Sequence, residues 1–142
     1  SNGFRVLASA SGALTGISAT GVGDVNGDGF DDLAITSAAL ISGREQRFIV
    51  FGGASFDATL ALDALDPTRG LKLFGDASVV TPGPFELRGA GDVNGDGFDD
   101  LFYDIYHVNS PNIAGVIYGR DFDGTATQVG GAGADTLDGT VG

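Results

Sequence analysis

Apolar residues along this chain fall in short runs, mostly β-branched or aromatic, and each run is bounded by glycine, proline or aspartate. That is the patterning of strands joined by tight turns, not of helices. Four runs stand out in the first half, at 14–21, 33–37, 47–51 and 70–74, and a further run at 4–8 has the character of the fourth. The one segment with room for a helical turn is 60–65, closed by Asp66 and Pro67. Thr59 is placed to cap it, but Leu62 sits where a capping box wants Glu or Gln, and an irregular connection is an equal reading.

An internal repeat orders these runs. Gly-Asp-Val-Asn-Gly-Asp-Gly-Phe-Asp-Asp-Leu occupies residues 23–33 and again 91–101, identical throughout and 68 residues apart. The correspondence extends outward. Asn-Gly-Phe-Arg-Val at 2–6 answers Arg-Gly-Leu-Lys-Leu at 69–73, and Ile-Val-Phe-Gly at 49–52 answers Val-Ile-Tyr-Gly at 116–119. Repeat one therefore spans 1–67, repeat two 68–124, and a glycine-rich tail 125–142. The chain is expected to be all-β, with four antiparallel strands per repeat. It starts on a fourth strand at 3–8 and ends its second repeat after a third.

Composition narrows the function. The length of 142 residues and a 42% hydrophobic content are enough for a domain with a core, and 25 glycines against a usual share of about 7% suit many tight turns. The formal charge is −12, with only seven lysines and arginines. Such a chain repels phosphate backbones and anionic bilayers, so nucleic acid is not an expected partner, and divalent cations are. The absence of cysteine excludes disulfides and thiolate metal sites. No segment resembles a signal peptide or an apolar run long enough for membrane insertion, and with no methionine the chain reads as a piece of a longer protein.

The acidic stretches have the chemistry of calcium loops. Calcium takes about six to eight oxygen ligands, which a loop supplies when carboxylates recur at alternate positions on a tightly turning backbone. With Asp24 as position one, Asn26, Asp28 and Asp32 fall at three, five and nine. Gly29 permits the sharp turn, and the Phe30 carbonyl at seven completes the set. Asp92, Asn94, Asp96, Phe98 and Asp100 repeat it, so two Ca2+ sites are expected. Magnesium, which keeps more water, fits less well. Asp31 and Asp99, at position eight, read as solvated or turn-capping residues. Position twelve holds Ile35 and Tyr103, and strand-like sequence follows each loop. Both features argue against an EF-hand or a dockerin.

The repeated motif, followed by Val-Phe-Gly-Gly-Ala-Ser at 50–55, resembles the FG-GAP repeat of integrin α-type β-propellers and bacterial surface proteins. The resemblance implies that each repeat is a four-stranded propeller blade with its calcium loop between the first two strands. Repeat two departs at its end, reading Tyr-Gly-Arg-Asp-Phe at 118–122. In the tail, residues 130–138 resemble the RTX nonapeptide GGxGxDxUx, which makes Asp135 a weak candidate metal ligand and implies type I secretion from a bacterium. A glycine-rich linker is the plainer reading of that stretch.

Propellers have roughly four to eight blades, and this chain carries two. Strand exchange through 4–8, giving self-association or membership of a larger ring, is one resolution, and a compact two-blade monomer is the other. No nucleophile elbow, phosphate loop or zinc-ligand motif occurs. His107, the one histidine, lies near Asp104 and Ser110 in sequence, but a lone histidine on a strand edge is usually structural or exposed, and no catalysis is expected. The aromatic segment 103–107 differs in kind from its repeat-one counterpart and suits either a ligand patch or altered packing. The leading expectation is a structural or adhesive module of a secreted or cell-surface protein, with a protein or glycan ligand. The alternative is an accessory substrate- or glycan-binding domain of a secreted enzyme or RTX-type toxin.

Overall fold

Two antiparallel sheets, one per repeat, lie face to face across a shared core. The computed structural model describes residues 3–7, 17–41, 44–74, 86–105 and 111–122. The expectations for His107, Ser110 and the tail with Asp135 fall outside these residues. In chain order the strands are β1 (Arg5–Leu7), β2 (Ile17–Gly23), β3 (Asp32–Ile41), β4 (Arg44–Val50), β5 (Thr59–Ala61), β6 (Gly70–Phe74), β7 (Glu86–Gly91), β8 (Asp100–Ile105) and β9 (Ile113–Ile117). A 3-10 turn at Leu62–Ala64 follows β5, and no α-helix occurs among the described residues.

The first sheet has the order β2-β3-β4-β6, and the second has the order β7-β8-β9. Every pairing within them is antiparallel. The same irregularity ends the first hairpin of each, where Gly23 opposes Asp32 and Gly91 opposes Asp100 after a shift of register. The expected all-β class therefore holds. The first sheet is a complete four-stranded unit whose last strand, β6, lies past the expected repeat boundary at 67, the second has three strands among the described residues, and the sheets do not close into a ring.

Strand alternation assigns the two faces of the first sheet. On β4, Ile49 points one way, and Phe48 and Val50 point the other; all three are buried. Ile49 joins Val22, Ala34, Leu71 and Leu73 against Leu87, Leu101 and Ile117 of the second sheet. Phe48 and Val50 join Ile35 beneath Leu62 and Leu65. A strand buried on both faces needs a continuous apolar run, which 48–51 supplies. Where the sheets meet, the backbones come close. A Cβ on Gly89 would lie 2.9 Å from the Val22 backbone.

Two local expectations change. Thr59 lies within β5 and does not cap a helix; the turn at Leu62–Ala64 has no side-chain cap and is held by the burial of Leu62 and Leu65. The strand expected at 4–8 forms over Arg5–Leu7, but its neighbour is β5, in parallel register with Arg5 opposite Thr59. Within the chain it therefore lies against repeat one and is not a fourth strand of the second sheet. Local apolar contact explains the choice: Phe4 stacks on Phe56 at 4.3 Å, and Val6 packs against the core that holds Leu62 and Leu65.

Candidate functional site

The two acidic loops join β2 to β3 and β7 to β8, and both are built around their first aspartate. In loop one the Asp24 carboxylate accepts N–H bonds from Gly27 at 2.7 Å, Asp28 at 3.1 Å and Gly29 at 2.8 Å. Asp92 does the same with Gly95, Asp96 and Gly97 at 2.7, 3.1 and 2.9 Å. Wrapping the backbone this tightly needs left-handed residues, at φ 76° and 87° for Gly27 and Gly29 and 79° and 94° for Gly95 and Gly97. These N–H groups hold the Asp92 carboxyl below the usual carboxylate range, the Gly97 bond contributing most.

The third and fifth positions are fastened to each other. The Asp28 N–H donates to Asn26 Oδ1 at 3.1 Å, while Asn26 Nδ2 donates to Asp28 Oδ2 at 3.0 Å. Phe30 N–H donates to Asp28 Oδ1 at 2.9 Å. Asn94, Asp96 and Phe98 reproduce all three bonds.

The ninth position does something different, because Asp32 and Asp100 are completely buried. Asp32 accepts one N–H from Val25 at 2.9 Å and another from Gly52, just past the end of β4, at 2.7 Å. Asp100 accepts from Val93 at 2.8 Å and Gly119 at 2.9 Å. Each carboxylate thus pins the start of its loop to the end of the third strand of its sheet. Burial pushes the Asp32 carboxyl up to about 6, against the two N–H bonds, and the nearby charges of Asp28 and Asp24 add to the rise.

The expected ligand residues are thus brought together in two equivalent loops. Asp24, Asn26 and Asp28 form the exposed part, and Asp32 forms the floor. As the side chains stand, no three carboxylate or imidazole groups among the described residues gather closely enough to hold an ion between them. The donor chemistry fits a hard cation, since all the side-chain donors are oxygens and a carboxylate oxygen that accepts one N–H keeps a further lone pair.

Asp99 has a role that its position in the motif did not disclose. Its carboxylate accepts the Asp24 N–H at 3.0 Å, and its own N–H donates to the Asp24 carbonyl at 2.9 Å. The Arg120 N–H donates to the Val25 carbonyl at 2.9 Å. Loop two is therefore stapled onto loop one, while the identical Asp31 is exposed. No feature of the motif distinguishes the two aspartates. Only knowing which repeat has a neighbour on that side would have done so.

Residues 16–44, which span β2, loop one and β3 and end at the first residue of β4, match the family model of the FG-GAP repeat. Searches of curated proteins and of solved structures return no match. FG-GAP repeats occur in extracellular and cell-surface proteins, and no helix among the described residues is long and apolar enough to cross a membrane.

Two predictions follow from the hydrogen bonding. In dilute solution, Asp99→Ala should lower stability in urea denaturation by about 1–3 kcal/mol, and Asp31→Ala by less than about 0.5 kcal/mol; equal effects would contradict the staple. Carboxyl NMR titration of the metal-free protein should place Asp32 near pH 6 and Asp92 below the ordinary carboxylate range. Because the Asp32 pKa is raised on folding, its contribution to stability falls as pH rises from about 4 to about 6, whereas that of Asp92 is lost on acidification. Two ordinary midpoints would refute this picture of the loops.

Proposed function

We propose that the chain is a calcium-binding, non-catalytic β-repeat module of a larger secreted or cell-surface protein, structural or adhesive in role. One observation carries this reading: two loops of identical sequence hold identical oxygen sets in the same hydrogen-bonded frame. In each, the carboxylates at positions one, five and nine, the Asn amide oxygen at three and the Phe30 or Phe98 carbonyl would hold the ion. Repeat two counts as a second FG-GAP-type unit on that basis. The identification of 130–138 as an RTX-type nonapeptide, and with it type I secretion, rests on sequence alone.

Calcium would offset the mutual repulsion of three carboxylates in each loop and part of the formal charge of −12. Stabilisation by a bound ion grows with its free concentration, so such a module is firm outside the cell, where calcium is plentiful, and looser where it is scarce. Calorimetric titration of the metal-stripped chain should find two sites. Asp28→Ala and Asp96→Ala should each remove one. At free calcium about 100 times the dissociation constant, each occupied site should add about 2.7 kcal/mol of stability. No binding heat and an unchanged melt would dispose of the metal reading.

A second reading, an accessory glycan- or substrate-binding domain of a secreted enzyme or toxin, draws on one feature. An open cleft of about 290 Å³ runs beside loop one, bordered by Asn26, Asp28, Phe51, Phe98, Asp121 and Phe122. Aromatic rings flanked by polar side chains suit a sugar face. Binding on a glycan array, abolished by Phe122→Ala, would favour this reading; a blank array favours the purely structural one.

A further inference from the structure

The two acidic loops are identical in sequence and share the same internal hydrogen bonds, yet loop one alone is held from outside by the other repeat. Its first two residues are engaged at all four of their main-chain polar groups. The Asp24 N–H donates to the Asp99 carboxylate at 3.0 Å, and the Asp24 carbonyl accepts the Asp99 N–H at 2.9 Å. The Val25 N–H donates to Asp32 at 2.9 Å, and the Val25 carbonyl accepts the Arg120 N–H at 2.9 Å. Three of these four bonds come from repeat two.

Loop two lacks that support. Among the described residues, the corresponding main-chain groups of Asp92 and Val93 make one bond, from the Val93 N–H to Asp100 at 2.8 Å. The surroundings differ in the same sense. Asp24 is half-buried and Asp92 exposed, and Val25 is 0% exposed against 56% for Val93. A Cβ on Gly23 would collide with Asp99 and one on Gly27 with the Phe98 ring, while Gly91 and Gly95 have nothing within 4 Å.

We infer that Asp99 is a positioning residue for an ion in loop one, and that docking of repeat two makes loop one the tighter of the two sites. The inference rests on the calcium reading above and goes beyond it, since that reading treats the two sites alike. Asp24 supplies the first ligand of its loop, and its carboxylate is also the hub that accepts the Gly27, Asp28 and Gly29 N–H groups. Fixing the Asp24 main chain from outside restricts that hub before any ion arrives, so less conformational freedom is lost on binding. Loop two has to lose that freedom when it binds. Coupling of this kind is reciprocal, so occupancy of loop one should strengthen the seam between the repeats, and occupancy of loop two should leave it unchanged.

Calorimetric titration of full-length single-site chains with calcium tests this, with circular dichroism confirming that each is folded. Asp96→Ala leaves loop one as the binding site, and Asp28→Ala leaves loop two. The Asp96→Ala chain should bind about 10-fold more tightly than the Asp28→Ala chain, which lies in the usual range for coupled sites. Adding Asp99→Ala should erase that advantage in the Asp96→Ala chain, and should change the affinity of the Asp28→Ala chain by less than about twofold. A loss confined to loop one separates positioning from general damage to the fold. Asp31→Ala, at the same place in loop one itself, should leave the Asp96→Ala chain within about twofold of its own value. Asp99→Asn removes the charge but keeps an acceptor for the Asp24 N–H, and should retain most of the affinity. Equal affinities in the two single-site chains would overturn the inference and leave the calcium reading standing. So would equal losses from Asp99→Ala in both chains, or a loss from Asp99→Asn as large as that from Asp99→Ala. No binding heat and an unchanged melt in both single-site chains would overturn the calcium reading and this inference with it.

Discussion

A buried carboxylate at the ninth position of each loop is the constraint on which the rest of the structure depends. Asp32 and Asp100 have no exposed surface, and each binds two backbone N–H groups that belong to different parts of the fold. An ionised group in that setting is tolerated only because both its oxygens are engaged, and removing it would strand two buried donors. The loop, the first hairpin and the end of the third strand are therefore held in one arrangement. Only then do the first, third and fifth positions project together at the exposed end of each sheet.

The same arrangement couples the repeats. With the start of loop one fixed by Asp32, the Asp24 N–H and carbonyl are presented to Asp99, and Val25 is buried beneath the neighbouring repeat. Joining the repeats and the proposed holding of an ion would use different atoms. Backbone groups at positions one and two join neighbouring repeats, while side-chain oxygens at one, three and five are left for an ion. On the proposed calcium reading, a module built this way would gain rigidity from its neighbours and from cations by separate routes.

Much of this was legible in the sequence. The eleven-residue identity located both loops, and the short apolar runs bounded by glycine, proline or aspartate placed β2, β3, β4 and β6 within a few residues, because strand ends depend on local turn chemistry. What could not be read was which of two identical residues would be covered. Val25 and Val93, or Asp31 and Asp99, differ only in the presence of a neighbouring repeat, a tertiary fact with no local signature. Arg5–Leu7 was misplaced for a related reason: its sequence fits a fourth strand, but Phe56 and Leu62 offer nearer apolar contact. The burial of Asp32 and Asp100 was hidden because aspartate in an acidic loop reads as solvent-facing, and the partners Gly52 and Gly119 lie about twenty residues away.

Amide hydrogen exchange of the metal-free chain, followed residue by residue, tests the central constraint most directly. If buried carboxylates fasten the loops, the N–H groups of Val25, Gly52, Val93 and Gly119 should exchange as slowly as those of β4, opening only with global unfolding. Exchange of these four amides at the rate of exposed loop residues would contradict it.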